Sequence, residues 1–166
     1  MNPLPSEANI VIIGGGIVGC SIAYHLTKRG ITDVVLLERK QLTCGTTWHA
    51  AGLVSMLWPT PTLTNLAKYC HELYASLEDE TGQATGYRQI GSLSLARSKE
   101  RLVELKRNAS MAKVFGVKSE ILGPDDICAL YSGINPEGIL GALHIEKDGQ
   151  TNPIDTTMAL AKGAQN

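Results

Sequence analysis

The sequence predicts an α/β fold built on a parallel sheet, and three observations support this prediction. Two short apolar runs, Ile10–Ile13 and Val34–Leu37, lack a polar face, which is typical of strands buried on both faces of a parallel sheet. A glycine-rich turn, Gly14–Gly19, follows the first run directly. A stretch with the period of an amphipathic helix then leads to a natural helix end at Gly30. This order of strand, turn, helix and strand is that of a βαβ unit.

The turn has the glycine spacing of a dinucleotide-binding motif. Gly14 permits the sharp turn, Gly16 leaves room for a pyrophosphate to approach the backbone, and Gly19 lets the helix pack closely on the strand. The first amides of the helix would face the phosphates, where the helix dipole favours an anion. Glu38 follows Gly19 by nineteen residues, about where a carboxylate accepts hydrogen bonds from ribose hydroxyls. The motif therefore favours a bound dinucleotide over a structural turn without a ligand, and it does not choose between FAD and NAD.

Composition limits the partners that the chain can have. The 166 residues are 43% hydrophobic with a formal net charge of −1, which suffices for one globular core and provides no basic face. We therefore expect neither nucleic acid nor a membrane as a partner. Four widely spaced cysteines form no C-x-x-C pair, which favours reduced thiols and argues against a metal site: Cys20, Cys44, Cys70 and Cys128.

The N-terminal segment resembles a membrane span or a targeting signal only superficially. The stretch Ala8–Thr27 is uncharged, but it contains three consecutive glycines. The residues before it include no Lys or Arg, so neither a signal peptide nor a transit peptide is predicted. We expect a cytoplasmic protein, or one of the mitochondrial matrix if a presequence has been removed.

The loop after the second strand, Thr43–Leu53, has neither helical nor strand periodicity. Its glycines and alanines allow close backbone approach and its threonines offer hydroxyl groups, which suits a loop that lines a cofactor. His49 offers a nucleophilic imidazole, and the alternative interpretation is a core histidine with satisfied hydrogen bonds. Trp48 is interpreted as a packing residue.

A helix is predicted after the break at Trp58–Pro61. Thr62 or Thr64 can cap it, and its pattern runs to about Glu80. Tyr69 and His71 are expected on its exposed face, and the alternative is that they face a ligand. Its apolar stripe consists of Leu63, Leu66, Cys70, Leu73 and Leu77.

Later elements are predicted from alternation and capping residues. Gly91–Leu95 alternates as a strand, and Ser98 caps a helix that ends at Gly116 with Leu102, Leu105, Ala109 and Ala112 inward. The further predictions are a strand at Lys118–Leu122, a short helix from Pro124 to Leu130, a strand at Gly138–Ile145, and a helix capped by Asn152 that stops at Gly163.

A group of polar residues follows the strand at Gly138–Ile145. His144, Glu146 and Asp148 could imitate a metal site, but their mixed spacing favours a solvated strand end. No metal site is predicted.

The end of the chain bears on domain organisation. A doubly wound sheet normally needs several more parallel strands, and the chain stops after a helix. We therefore expect part of a longer protein. The predicted division is residues 1–60 as the start of the dinucleotide-binding domain, 61–145 as helices and strands partly of a substrate or cap region, and 146–166 as a helix returning to the first domain.

Several motifs together resemble one enzyme family. Gly45–Leu53 is the most specific of them, with support from Val11–Gly16, Val35–Arg39, Leu77–Gly82 and Asp148–Gly149. The joint pattern resembles the FAD-dependent amine dehydrogenases that include dimethylglycine dehydrogenase and sarcosine dehydrogenase. The resemblance covers nearly the whole chain. It implies an α/β fold: a Rossmann-like FAD-binding domain of the glycine/D-amino-acid-oxidase type, with the start of an α+β substrate domain.

The resemblance also implies a cofactor and a reaction. In this family the histidine after the tryptophan carries FAD on its 8α-methyl group, which assigns covalent attachment to His49. The implied reaction oxidises an N-methyl group of a small amino acid, with hydride passing to flavin N5. Electrons would leave to an electron-transfer flavoprotein or oxygen, and tetrahydrofolate would bind only in a missing C-terminal domain. No catalytic base is assigned. The expected cofactor-binding residues are Gly14, Gly16, Ile17, Val18, Gly19, Glu38, Arg39, Gly45, Thr46, Thr47, His49, Ala51, Gly52 and Leu53.

Two other functions stay open at this point. One is a regulatory subunit, because a relative of these dehydrogenases regulates a phosphatase, although that relative departs from the Trp-His-Ala-Ala-Gly pattern at Trp48–Gly52. The other is an NAD-dependent dehydrogenase or a bare dinucleotide-binding module.

Overall fold

The computed structural model describes residues 5–165, which form two compact units. The first contains the residues up to Leu53, Glu72–Tyr87 and the residues from Thr151, and the second contains Val54–His71 and Arg88–Gln150. The helices are α1 (Ile17–Lys28), α2 (Pro61–Thr81), α3 (Lys99–Val114), α4 (Pro124–Leu130) and α5 (Pro153–Gly163). The strands are β1 (Ile10–Ile13), β2 (Val34–Leu37), β3 (Leu53–Val54), β4 (Arg88–Gln89), β5 (Ser92–Ala96), β6 (Glu120–Leu122), β7 (Gly141–Ile145) and β8 (Gly149–Gln150). The division at residues 60 and 145 stays a prediction.

The first unit contains the predicted βαβ arrangement. Strands β1 and β2 pair in parallel, with Ile10 opposite Val34 and Ile13 opposite Leu37. Helix α1 connects them, and its inner face packs with the second half of α2 and with α5. The buried cluster consists of Cys20, Tyr24, Leu73, Leu77, Ala159 and Leu160. The glycine turn therefore lies at the carboxyl end of a strand that a helix holds in place, as predicted.

A polar contact joins α1 to the end of α2 in the same unit. The Tyr24 hydroxyl donates to the Glu80 carboxylate at 2.6 Å, and the Lys28 ammonium lies 2.9 Å from the same carboxylate. These two bonds are the main cause of a pKa of about 2 at Glu80. The carboxylate therefore stays charged, and its hydrogen bonds connect α1 to α2, which are distant in sequence.

The burial expected for the first strand was wrong. Ile12 is buried against α1, since its Cγ2 atom would lie 3.3 Å from a Cβ placed on Gly19. Its neighbours are not buried: Val11 is 53% exposed and Ile13 is 88% exposed. The reason is that the described residues of this unit supply a two-stranded sheet with α1 on one face. Side chains that alternate to the other face remain uncovered.

The second unit has an antiparallel sheet with β7 in the middle. Strand β5 pairs with β7 so that Ser92 lies opposite Ile145, and β6 pairs on the other side with Glu120 opposite His144. The predicted cap of α3 is confirmed, because the Ser98 hydroxyl accepts a hydrogen bond from the amide of Arg101 at 3.2 Å. The inward residues of α3 are also confirmed: Leu105 and Ala112 are buried, and Leu102 and Ala109 pack against the same cluster. Two short strands, β4 and β8, form a further antiparallel pair.

The start and the buried face of α2 differ from the prediction. The helix begins at Pro61, and the hydroxyl of Thr60, rather than that of Thr62 or Thr64, accepts from the amide of Leu63 at 3.3 Å. Leu63 and Leu66 are 43% and 56% exposed, whereas Thr64, Ala67 and His71 are buried. The second half of the predicted stripe is confirmed, because Leu73 and Leu77 are buried. The two halves of α2 belong to different units.

The solvated strand end predicted at residues 144–148 was wrong for Asp148. This side chain is 4% exposed, and its two oxygens accept from the Met56 amide at 2.7 Å and from the Ser92 hydroxyl at 2.6 Å. Glu146 is exposed and pairs with Lys118 at 2.7 Å. Across residues 5–165 no cluster of His, Cys, Asp and Glu is arranged to hold a metal ion, and no helix is long and apolar enough to cross a membrane.

Candidate dinucleotide site

The turn after β1 depends on contacts that only glycine allows. Gly14 has a φ of +110°, a conformation that L side chains rarely adopt. A Cβ on Gly19 would lie 2.0 Å from the carbonyl oxygen of Gly14, so α1 could not pack against the turn with any other residue there. A Cβ on Gly16 would meet the Thr47 hydroxyl at 3.1 Å. The spacing of these glycines therefore reflects real steric limits.

The N-terminus of α1 opens next to this turn. Gly16 precedes the helix and has no side chain that could cap it. The Ile17 amide instead donates to the Thr47 hydroxyl at 3.1 Å, although thirty positions separate the two residues in sequence. The other amides of a first helical turn have no acceptor within the helix, and they attract anions. Val18 in this turn is 69% exposed.

Glu38 lies beside the turn, as its spacing predicts. One carboxylate oxygen accepts from the Gly15 amide at 2.9 Å, and the other accepts from the Lys40 amide at 3.1 Å. The Gly15 amide, followed by that of Lys40, lowers the pKa of Glu38, so the group stays ionised. Each carboxylate oxygen has more than one lone pair, so acceptor capacity for a ribose hydroxyl remains.

Thr43 is a residue of this site that the sequence does not reveal. Its φ is +71°, a left-handed conformation that a β-branched residue rarely adopts and that costs on the order of 1–3 kcal/mol. Its amide donates to the Gly15 carbonyl at 2.9 Å, and its side chain is buried. The loop is therefore fastened to the turn at its first residue. No local sequence signal marks a threonine for this conformation, because glycine or asparagine is the usual choice.

His49 lies at the end of a short 3₁₀ helix, Thr47–His49, and is exposed. Its Nδ1 atom is 3.2 Å from the carbonyl oxygen of Gly45. A carbonyl can only accept, so Nδ1 donates, and the neutral ring then has its lone pair on Nε2. The Trp48 ring lies against the imidazole, with the centroids 3.7 Å apart and the planes tilted by 34°. The alternative of a buried core histidine is therefore wrong.

The predicted residues after β2 fall into three groups in the structure. Direct contacts join the turn to Glu38 and Thr47. Gly52 is buried and has a φ of +76°. The other predicted residues of the segment that follows β2 are exposed, and among residues 5–165 they have no hydrogen bond to the turn: Arg39, Gly45, Thr46, His49, Ala51 and Leu53.

Comparison with known proteins assigns the family. Residues 9–166 match the DAO family, described as FAD dependent oxidoreductase. The chain belongs to this family. The predicted fold class is thereby confirmed, and the family supports the predicted cofactor, FAD, over the NAD alternative. The resemblance to sarcosine and dimethylglycine dehydrogenases is confirmed by the curated relatives.

Curated relatives match almost the whole chain but extend far beyond it. Human mitochondrial sarcosine dehydrogenase is 44% identical over 98% of this chain and 18% of its own length. Rat mitochondrial dimethylglycine dehydrogenase is 44% identical over 98% of this chain and 20% of its own length. The mitochondrial pyruvate dehydrogenase phosphatase regulatory subunit of mouse is 42% identical over 97% of this chain and 18% of its own length. The chain thus spans about a fifth of the length of these relatives.

A solved structure supports the same assignment. The L-proline dehydrogenase from P. horikoshii superposes with a TM-score of 0.89 at 28% identity, covering 98% of this chain and 42% of the other. The shared fold is therefore that of an FAD-dependent oxidoreductase.

Proposed function

We propose that this chain is the FAD-holding part of an enzyme that oxidises an N-methyl group of a small amino acid of the sarcosine or dimethylglycine type. The observation that carries the proposal is the exposed His49, whose Nδ1 donates to Gly45 and whose Nε2 is left as a nucleophile. The similarity to sarcosine and dimethylglycine dehydrogenases supplies the substrate class.

The residues at the turn fit the nucleotide half of FAD. The open N-terminus of α1 suits the pyrophosphate, and Glu38 is ionised and close enough to the turn to accept from ribose hydroxyls. The Thr47 oxygen already accepts from the Ile17 amide, so its own proton can be donated to a phosphate oxygen. These residues would position the cofactor, and the other predicted loop residues, including Thr46 and Ala51, would lie along it.

His49 is the proposed point of covalent attachment. A bond between Nε2 and the 8α-methyl carbon of FAD would replace one C–H bond of that methyl group, and the ring would then release its Nδ1 proton. The two electrons and two protons given up in this step would leave the reduced flavin for oxygen, which would become peroxide. The Gly45 carbonyl favours this bond because it holds the ring in the tautomer with an unprotonated Nε2.

The bound flavin would accept hydride from the N-methyl carbon and leave an iminium. Water would hydrolyse the iminium to formaldehyde, or tetrahydrofolate would take its carbon. Tetrahydrofolate belongs in this scheme only if a C-terminal domain holds it. The electrons would pass on to an electron-transfer flavoprotein or to oxygen. No residue of this chain is assigned as a catalytic base. The mitochondrial matrix and the cytoplasm are the two proposed locations, which cell fractionation separates. The mitochondrial location is favoured because the names of several relatives include the word mitochondrial.

Attachment is tested by acid precipitation of the purified flavin-containing protein. We expect flavin to remain in the precipitate of the unaltered chain and to move to the supernatant with His49→Ala. His25→Ala is the matched control, because it removes a histidine of α1 outside the proposed attachment point. Release of all flavin from the unaltered chain would remove the covalent assignment.

The substrate class is tested by anaerobic titration with sarcosine, dimethylglycine and unmethylated glycine. We expect the flavin absorbance to bleach with the N-methyl compounds and to persist with glycine. The similarity to a phosphatase regulatory subunit provides the alternative candidate, a non-catalytic subunit. A flavin that binds but that none of these amines bleaches would favour that alternative.

A further inference from the structure

The end of the His49 loop lies directly against the segment that precedes α5. The Thr151 amide donates to the Gly52 carbonyl at 2.8 Å. In the other direction the contact is so close that a Cβ on Gly52 would lie 2.1 Å from the Thr151 carbonyl oxygen and 3.5 Å from the Pro153 ring. Gly52 also has a left-handed φ of +76°. Both the space and the backbone conformation therefore require glycine here.

Thr151 is itself held by a buried backbone carbonyl and a buried hydroxyl. Its side chain donates to the Thr85 carbonyl at 3.0 Å and lies 2.5 Å from the Thr156 hydroxyl. Thr85 and Thr156 are 1% and 0% exposed. The backbone amide of Asn152 donates to the same Thr85 carbonyl at 3.0 Å, and the side chain of Asn152 caps α5. Thr151 is therefore fixed by backbone and side chain together, with little freedom to shift.

Few hydrogen bonds to other segments fix the position of the loop, and its 3₁₀ helix also lies beside α5. His49 and Trp48 are exposed, and their ring contact and the bond to Gly45 lie within the loop. Two contacts with other segments bracket the 3₁₀ helix: the Thr47 hydroxyl binds the Ile17 amide at one end, and Gly52 contacts Thr151 at the other. Only three positions separate His49 from Gly52.

We propose that Thr151 is a positioning residue for His49. Through its contact with Gly52, Thr151 sets the conformation of residues 48–52. The consequence for flavin attachment rests on the proposed function, whereas the effect on loop conformation does not. Attachment needs the imidazole nitrogen and the methyl carbon to be aligned closely, and misplacement by about 1 Å can cost on the order of 100-fold in rate.

The variants separate loop positioning from general stability. Thr151→Val removes the hydroxyl bonds, Thr151→Ser restores them, and Gly52→Ala disrupts the contact from the other side. Thr157→Val is the matched control, because the hydroxyl of this buried threonine of α5 donates to the Pro153 carbonyl of its own helix. All variants are compared by their melting temperatures.

The first readout is the fluorescence of Trp48, which needs no cofactor. The chain has two tryptophans, so a Trp58→Phe background isolates the signal. We expect the emission and acrylamide quenching of Trp48 to change in Thr151→Val and Gly52→Ala, and to match the unaltered loop in Thr151→Ser and Thr157→Val. Trp48 signals that are the same in all four variants would overturn the proposal.

The second readout is the rate at which acid-stable flavin forms when the apoprotein is mixed with FAD. We expect a fall on the order of 100-fold in Thr151→Val and Gly52→Ala relative to Thr157→Val. An equal fall in Thr157→Val would overturn the proposal by showing a merely structural effect. If the unaltered chain forms no acid-stable flavin but the Trp48 signals change as expected, covalent attachment fails and the positioning of the loop by Thr151 stands.

Discussion

The glycine turn and the His49 loop belong to the same compact unit but are determined in different ways. In the turn, a Cβ on Gly19 would lie 2.0 Å from the Gly14 carbonyl oxygen, so packing alone dictates the residue. In the loop, His49 and Trp48 are exposed, and a Cβ on Gly45 would have nothing within 4 Å. Packing within the described chain therefore does not explain why the loop has these residues.

This difference separates a requirement of folding from a requirement of cofactor chemistry. Backbone sterics constrain the turn, whether or not a ligand is bound. The exposed loop residues Gly45, Trp48 and His49 have a physical role only when a flavin lies beside them. Substitutions in the turn should therefore lower the stability of the protein, and substitutions at the exposed loop positions 45, 48 and 49 should alter flavin binding or attachment with little effect on stability.

The largest effect on stability is expected from Gly19→Ala. The added methyl group would overlap the Gly14 carbonyl, and relief requires α1 to move from β1. Overpacking of this kind costs about 3 kcal/mol. For a chain of this size, that corresponds to a fall in Tm of about 6–12 °C, which calorimetry measures.

Gly45→Ala is the matched control for that substitution. Gly45 has no left-handed φ, and the new methyl group meets open space, so a change of less than about 0.5 kcal/mol is expected. A loss of stability as large as that of Gly19→Ala would remove the distinction between the two regions.

The sequence predicts those parts of the fold that depend on local signals. The bounds of β1, β2 and α4 agree with the structure, and Asn152 caps α5 by accepting from the amides of Ile154 and Asp155. Capping, apolar periodicity and glycine spacing each act over a few residues, so one stretch of sequence contains the necessary information.

Predictions that depended on distant partners were less successful. His71 was expected to be exposed but is 3% exposed, and Asp148 is buried because residues 56 and 92 supply its hydrogen-bond donors. The left-handed Thr43 is set by the Gly15 carbonyl, which is far from it in sequence. For the candidate site, spacing predicts the place of Glu38 beside the turn, whereas the role of His49 comes from a family resemblance and stays a prediction.

An intermediate effect is expected from Thr47→Val, at the bond that connects the two regions. The substitution leaves the Ile17 amide at the start of α1 without the hydroxyl acceptor, and the loss of such a cap costs about 1 kcal/mol. The Tm should fall by about 2–4 °C, and Thr47→Ser should recover most of it. An unchanged Tm in Thr47→Val would show that the turn and the loop are independent.

The smallest effect is expected from Glu38→Gln, and it should depend on pH. The Gly15 and Lys40 amides lower the pKa of Glu38 from its ordinary value of 4.5. This carboxylate therefore contributes stability that is fully present above pH 4.5 and is lost as the pH falls through the lowered pKa. The slope of Tm against pH, measured between pH 7 and pH 3, should be smaller in Glu38→Gln than in the unaltered chain. Glu137→Gln, which removes an equal charge from an exposed loop, should retain the slope. Because solvent screens Glu38, the difference should be smaller than that of Thr47→Val. Equal slopes in the two variants would show that the turn is held by glycine sterics alone, with Glu38 reserved for the ligand.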